Sequence, residues 1–198
     1  MINYKVMTEK QDELTASESL QLITEMINAA KGNVQQNSFY FLFWGWIIFI
    51  ANIGMFVLTS LHIKHPYAIW AITIPAWIIS LYRGFSQKNK QRVSSHLGSI
   101  SGNLWVAFGV CIFTIVAFGY KLNFQLNPLI LIVSAIPTFL SGVIIRFKPL
   151  MYGAIAFWLG GIIGFLVPIQ YQPLISAFAI MIGYLIPGYL LKSKKAHV

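Results

Sequence analysis

His62 and His65, separated by Ile63 and Lys64, are the side chains of this 198-residue sequence whose types and spacing come nearest to a metal site. Two imidazoles three residues apart can each give a nitrogen to one ion, but protein zinc sites use three or four ligands. No acid or cysteine lies near them in sequence, and the Lys64 ammonium between them repels a cation. No metal and no cofactor is expected. Cys111, the single cysteine, lies in the middle of an apolar run. One thiol makes neither an intrachain disulfide nor a Cys-rich metal site, and Cys111 reads as a small hydrophobe in a helix. Intramembrane proteolysis would need paired acids, a Ser–His pair or a zinc site at depth, and the apolar runs contain none of them. There is no phosphate-binding glycine loop between a strand and a helix. The expectation is a protein that is not an enzyme and has no catalytic residue.

An ionisable group inside an apolar run would mark a transport path or proton relay. The polar groups at depth here are neutral: Asn52, Thr73, Ser80, Thr114, Ser134, Thr138, Ser141 and Ser176. Hydroxyls can bond the carbonyls of their own helix, so they read as packing groups. The Asn52 amide has more hydrogen-bonding capacity than its own helix can satisfy, and a bond to a neighbouring helix is expected. Pro75, Pro137 and Pro187 should kink or locally open their helices. With Asn52 they form the candidate set of intramembrane polar and kink positions. Two small-residue stripes, Ala156–Gly160–Gly164 and Ser134–Thr138–Gly142, would let helices approach closely, for internal packing or for oligomerisation.

The elements that must position these residues follow from composition and charge. The chain is 57% hydrophobic and 10% charged, against roughly 25% charged for an average soluble domain. All five acids (Glu9, Asp12, Glu13, Glu18, Glu25) lie in the first 25 residues. Six apolar segments follow: Phe39–Leu61, Pro66–Tyr82, Asn103–Tyr120, Pro128–Ile145, Pro149–Val167 and Pro173–Leu191. None contains a charge, and each approaches the roughly 20 residues a helix needs to cross a hydrocarbon core. Continuous apolar runs of this length exclude the alternating strands of a membrane β-barrel. The expected fold is an all-α integral membrane protein with six transmembrane helices.

Lysines and arginines orient it. Lys5, Lys10, Lys31, Arg83, Lys88, Lys90, Arg92, Arg146, Lys148, Lys192, Lys194 and Lys195 fall on one side of a six-span path, and only Lys64 and Lys121 fall on the other. Twelve against two places the N- and C-termini in the cytoplasm by the positive-inside rule. A bacterial cytoplasmic (inner) membrane is the expected location. The net charge of +9 comes from residues dispersed between apolar runs, not from a contiguous basic patch, so no nucleic-acid partner is expected. Some 38 largely polar residues precede the first run, unlike a cleavable signal peptide, so the first span is expected to be retained. Tyr and Trp cluster near span ends, while Trp77 and Trp158 lie deeper and are expected to pack between helices.

The sequence divides into a cytoplasmic tail (1–38), a transmembrane domain (39–191) and a basic tail (192–198). Within the first, residues 15–31 predict an amphipathic helix. Thr15-Ala16-Ser17-Glu18 has the form of a capping box, and Gly32 is placed to end the helix. Leu20, Ile23, Met26, Ile27 and Ala30 share its apolar face. That face could lie in the headgroup layer, on the bundle, or against a partner. An acidic helix is a poor ligand for an anionic leaflet, which favours protein.

Odd spans with an early Trp (Trp44, Trp105, Trp158) alternate with even spans opening on Pro (Pro66, Pro128, Pro173), and Gly142 and Arg146 match Gly188 and Lys192 without gaps. Three tandem hairpins as parallel repeats would give this pattern, although the unequal Trp spacing opposes it. Carried by Trp105, Pro128, Gly142, Trp158, Pro173 and Gly188, the region Phe39 to Lys192 resembles the HdeD-like acid-resistance membrane proteins. The resemblance implies a small six-span bacterial protein of duplicated hairpins and carries over no functional residue. The Thr15–Lys31 extension departs from that pattern and looks more like uncharacterised bacterial membrane proteins. The leading functional expectation is a non-enzymatic membrane protein acting through protein contacts, heteromeric or homo-oligomeric, with membrane lipid as its other partner. A transporter or channel for a neutral or apolar solute is the alternative.

Overall fold

The structure, a computed structural model, describes residues 16–88 and 96–193, with side chains for 38–84, 86 and 100–193. Among the described residues it is helical with no strand. Helix α1 runs Ala16–Ser60, followed by a 3-10 helix Pro66–Ile72 and α2 Thr73–Lys88. Then come α3 His96–Ala117, α4 Leu126–Ile144, α5 Lys148–Leu166, and a last helical stretch of α6 Gln172–Ile180, a π-helical segment Met181–Leu185 and α7 Ile186–Ser193. Five stretches are long and apolar enough to cross a membrane: Ser38–Ser60, Ile100–Ala117, Leu126–Ile144, Lys148–Leu166 and Ile169–Ser193.

Two boundaries differ from the sequence reading. The helix expected to stop at Gly32 continues without a break into the first apolar run, so α1 is 45 residues long. A glycine ends a helix by turning left-handed, and no described glycine has positive φ. No proline follows before the span, and each added residue of a growing helix gains a backbone hydrogen bond. The expected second span, Pro66–Tyr82, is divided between the 3-10 helix and α2, and it is not among the five membrane-length helices. Pro66 opens the 3-10 helix. Pro75, expected as an internal kink, instead sits in the first turn of α2, where its missing N–H interrupts no helical bond.

The core is built from the second half of α1, α4, α5 and the α6–α7 stretch. Gly45 faces Tyr184 and Leu185, Gly188 faces Leu42, and the Phe56 and Tyr171 rings meet at 6.3 Å, so α1 runs antiparallel to the last stretch. Gly142 against Met151 and Gly161 against Ile132 set α4 antiparallel to α5, the most extensive pairing in the molecule. The stretch Pro66–Lys88 lies along α1, Gly54 meeting Ile69 of the 3-10 helix and the Trp44 indole donating to Ser80 Oγ of α2 at 3.1 Å. Trp77 packs against Trp44 and Gly109 while remaining half exposed, and Trp158 lies beside Phe139.

The distribution of residue types is inverted relative to a water-soluble bundle. Among the described residues seven polar side chains are buried, whereas Phe113 (77% exposed) and Leu166 (80% exposed) stand among many large apolar groups on the outside. In water each such group would forgo roughly 1.5–3 kcal/mol of burial. Against lipid tails that loss disappears, and small or polar residues become the natural filling between helices. Every residue of the α3 span retains exposure, so α3 is a peripheral helix whose half-covered side rests on the core.

Candidate functional site

The polar side chains of the interior form a seam along the last helical stretch. At its start Gln172, opening α6, hydrogen-bonds through Nε2 to Oε1 of Gln125, the residue capping α4. One turn further Ser176 is buried, and at the far end Tyr184 lies between α4, α5 and α1. Its ring stands edge-on to Phe157 at 4.8 Å. Thr138 has one hydroxyl proton, which goes to the Ser134 carbonyl at 2.7 Å. The Tyr184 hydroxyl, 3.2 Å away, is then the donor to Thr138 Oγ1. Ser134 donates in turn to the Ile130 carbonyl at 2.6 Å.

Pro187 explains the π-helical segment. An α-helix would pair the carbonyl of Gly183 with the N–H of residue 187, and proline has none. The helix widens over Met181–Leu185, and Ile186 N–H bonds the Met181 carbonyl five residues back. The Gly183 carbonyl comes within 2.7 Å of where a Cβ on Gly153 would stand, and the Gly153 carbonyl within 3.0 Å of one on Gly183. Two backbones cross here with no side chain between them.

Of the candidate kink positions, Pro137 is inside α4 and buried, and Pro187 follows the π segment. Asn52 is buried in α1 but does not make the expected bond to another helix. Its Nδ2 donates to its own Ile48 carbonyl at 2.9 Å, and its Oδ1 has no partner. The short asparagine amide reaches the carbonyl one turn back in its own helix, and this satisfies one end only. The small-residue stripes serve internal packing. Gly160 and Gly164 meet Ala179 and Pro128, Ser134, Thr138 and Gly142 are all buried, and Ala156 is only half-buried. The contact-face positions Leu20, Ile23, Met26, Ile27 and Ala30 lie in α1, but their side chains are outside the described ones, and Thr15 is outside the described residues.

No match is found among protein-family models, curated proteins or solved structures. The chemistry of the interior must be read from its own residues. Among the described residues no group of three His, Cys, Asp or Glu comes together, His62 and His65 included. His62 instead adopts φ of 53° and closes the turn after α1, donating its N–H to the Thr59 carbonyl. Gln125, Gln172 and Tyr184 were not singled out from sequence. The two glutamines had a signal, since each closely precedes the proline that opens an even span. Tyr184 had none, because an aromatic in an apolar run looks alike whether it faces lipid or a partner hydroxyl.

Proposed function

We propose that this chain is a non-enzymatic, six-span membrane protein of a bacterial cytoplasmic membrane that acts through protein contacts made by the N-terminal part of α1. The carrying observation is the unbroken helix Ala16–Ser60. A helix continuous with a span leaves the membrane along the span's own axis. Residues 16–37 then project about 33 Å beyond Ser38 at 1.5 Å per residue. That direction disfavours both a position flat in the headgroup layer and a fold back onto the bundle. A partner chain is left as the natural cover for Leu20, Ile23, Met26, Ile27 and Ala30, with the acids Glu18 and Glu25 on the opposite side.

Six spans are supported by the stretch Pro66–Lys88. Its 3-10 and α portions together reach about 38 Å, enough for a core of about 30 Å. Its contacts follow α1 in the antiparallel sense from Gly54 to Trp44. The Arg83 guanidinium then stacks at 3.8 Å on the ring of Phe39, the two lying together at the proposed cytoplasmic level. Both termini are cytoplasmic in this reading because twelve of the fourteen basic residues fall on that side. A second reading, a carrier or channel for a neutral or apolar solute, draws on the unpartnered oxygens of the interior.

The contact role is tested by affinity purification from native membranes in mild detergent. The full chain is compared with a chain lacking residues 1–32 and with the double variant Ile23→Glu, Ile27→Glu. The expected outcome is loss of the same co-purifying proteins from both altered chains, with membrane insertion retained. Identical partner lists for all three chains would contradict the proposal.

A further inference from the structure

We infer that Asn52, Gln172 and Ser176 form a buried binding site for a small neutral hydrogen-bond donor between α1 and the start of α6. Each side chain is almost fully enclosed, at 1%, 1% and 3% exposure, and each carries an oxygen without a partner: Asn52 Oδ1, Gln172 Oε1 and Ser176 Oγ. The depths of Asn52 and Ser176 coincide. Phe56 of α1 meets Tyr171, the residue that caps α6. Asn52 is four residues inward from Phe56 and Ser176 five inward from Tyr171, a difference of about 1.5 Å along the helices. Gln172 lies one turn from Ser176 on the same face of α6.

Four hydroxyls elsewhere show that the protein can satisfy such groups locally, while Thr59 Oγ1 and Ser141 Oγ are, like Ser176 Oγ, enclosed without a partner. Ser60, Thr114, Ser134 and Thr138 each donate to the carbonyl four residues back in their own helix. Ser176 could do the same toward Gln172 and does not. A polar oxygen enclosed at membrane depth without a partner is strongly unfavourable, because neither lipid nor bulk water can serve it. Asn52 Oδ1 and Ser176 Oγ at one level, with Gln172 Oε1 one turn outward, specify what would satisfy them. The two amide oxygens only accept, and the hydroxyl both donates and accepts. The occupant therefore supplies at least two N–H or O–H donors and can accept one. It is neutral, since no described charged side chain lies at this depth to balance a charge. Water is the smallest molecule with this chemistry, and a simple amide or polyol is the alternative source of the same donors. The site is independent of the contact role proposed for α1.

The test uses the purified full-length protein in mild detergent, followed by its unfolding midpoint. Asn52→Leu and Ser176→Ala are each expected to lower the midpoint by about 2–4 °C, and the double variant by clearly less than the two together, because both remove contacts to one occupant. A raised midpoint for Asn52→Leu would overturn the site, since it would mean that an unsatisfied group had been removed. Strict additivity would also overturn it, reducing Asn52 to its own bond with Ile48. Acetamide is the solute probe. A midpoint raised by acetamide in the wild type but not in Asn52→Leu identifies an amide as occupant, and equal responses identify water. Radiolytic hydroxyl labelling of the unaltered protein needs no variant. Oxidation is expected within residues 48–56 and 172–180, and none in either segment would overturn the site.

Discussion

Gly153 and Gly183 show how little separates a close helix crossing from a clash. A Cβ on Gly153 would stand 2.7 Å from the Gly183 carbonyl oxygen and 2.8 Å from its Cα, and one on Gly183 would overlap the Phe157 ring. Neither obstacle is the free end of a flexible chain. Gly153→Ala and Gly183→Ala should each destabilise the protein by about 1–3 kcal/mol, as overpacking does, read as a lower unfolding midpoint in detergent. Gly84→Ala and Gly102→Ala meet nothing within 4 Å. There the better helix propensity of alanine should leave the midpoint unchanged or raise it, by up to about 1 kcal/mol. From sequence alone, spacing suggested Ala156, Gly160 and Gly164 as one stripe. The residues used are Gly153, Gly160, Gly161 and Gly164. Spacing identifies a face that could be approached closely. Which glycine meets a backbone depends on the register of the partner helix, which no local pattern encodes. The same holds for Thr138 and Tyr184, joined across 46 residues. Asn52 was recognisable as a polar group at depth, but not as one whose oxygen stays unpaired.

At the scale of elements, apolar run length located the five membrane-length helices to within a few residues, because it measures the property a lipid solvent selects. It was blind at two places. Run length cannot distinguish a 3-10 from an α-helix, so the division at Thr73 was not visible, although Pro66 and Pro75 bracket it. Gly32 has the residue type of a helix stop, whereas a helix ends only where the backbone turns. The proposed crossing by Pro66–Lys88 has a direct test in the order of the loops. Single cysteines are introduced as Lys64→Cys, Lys121→Cys and Arg146→Cys in a Cys111→Ala background, and intact cells are treated with a membrane-impermeant maleimide. Six spans predict labelling at 64 and 121 and protection at 146. If Pro66–Lys88 did not cross, residues 64 and 121 would lie on opposite sides, and only one of them would label.

The whole molecule is organised by a segregation of charge that the sequence displays openly. Every acid lies ahead of Met26, and the basic residues punctuate an otherwise uncharged bundle. The fold adds a mechanical link between the two parts. The acidic, amphipathic stretch and the first span share one helix of about 68 Å. In the proposed reading, that continuity presents the apolar face of the arm to a partner in one orientation, which lowers the ordering cost of docking. Cover of this face by protein is what we propose. Its most direct measurement is site-specific photo-crosslinking in native membranes, with a photoreactive phenylalanine analogue at residue 27 on the apolar face or residue 25 on the polar face. A protein-covered face gives discrete protein adducts from residue 27 and few or none from residue 25. Equal yields from both positions, or adducts to lipid alone from residue 27, would contradict it.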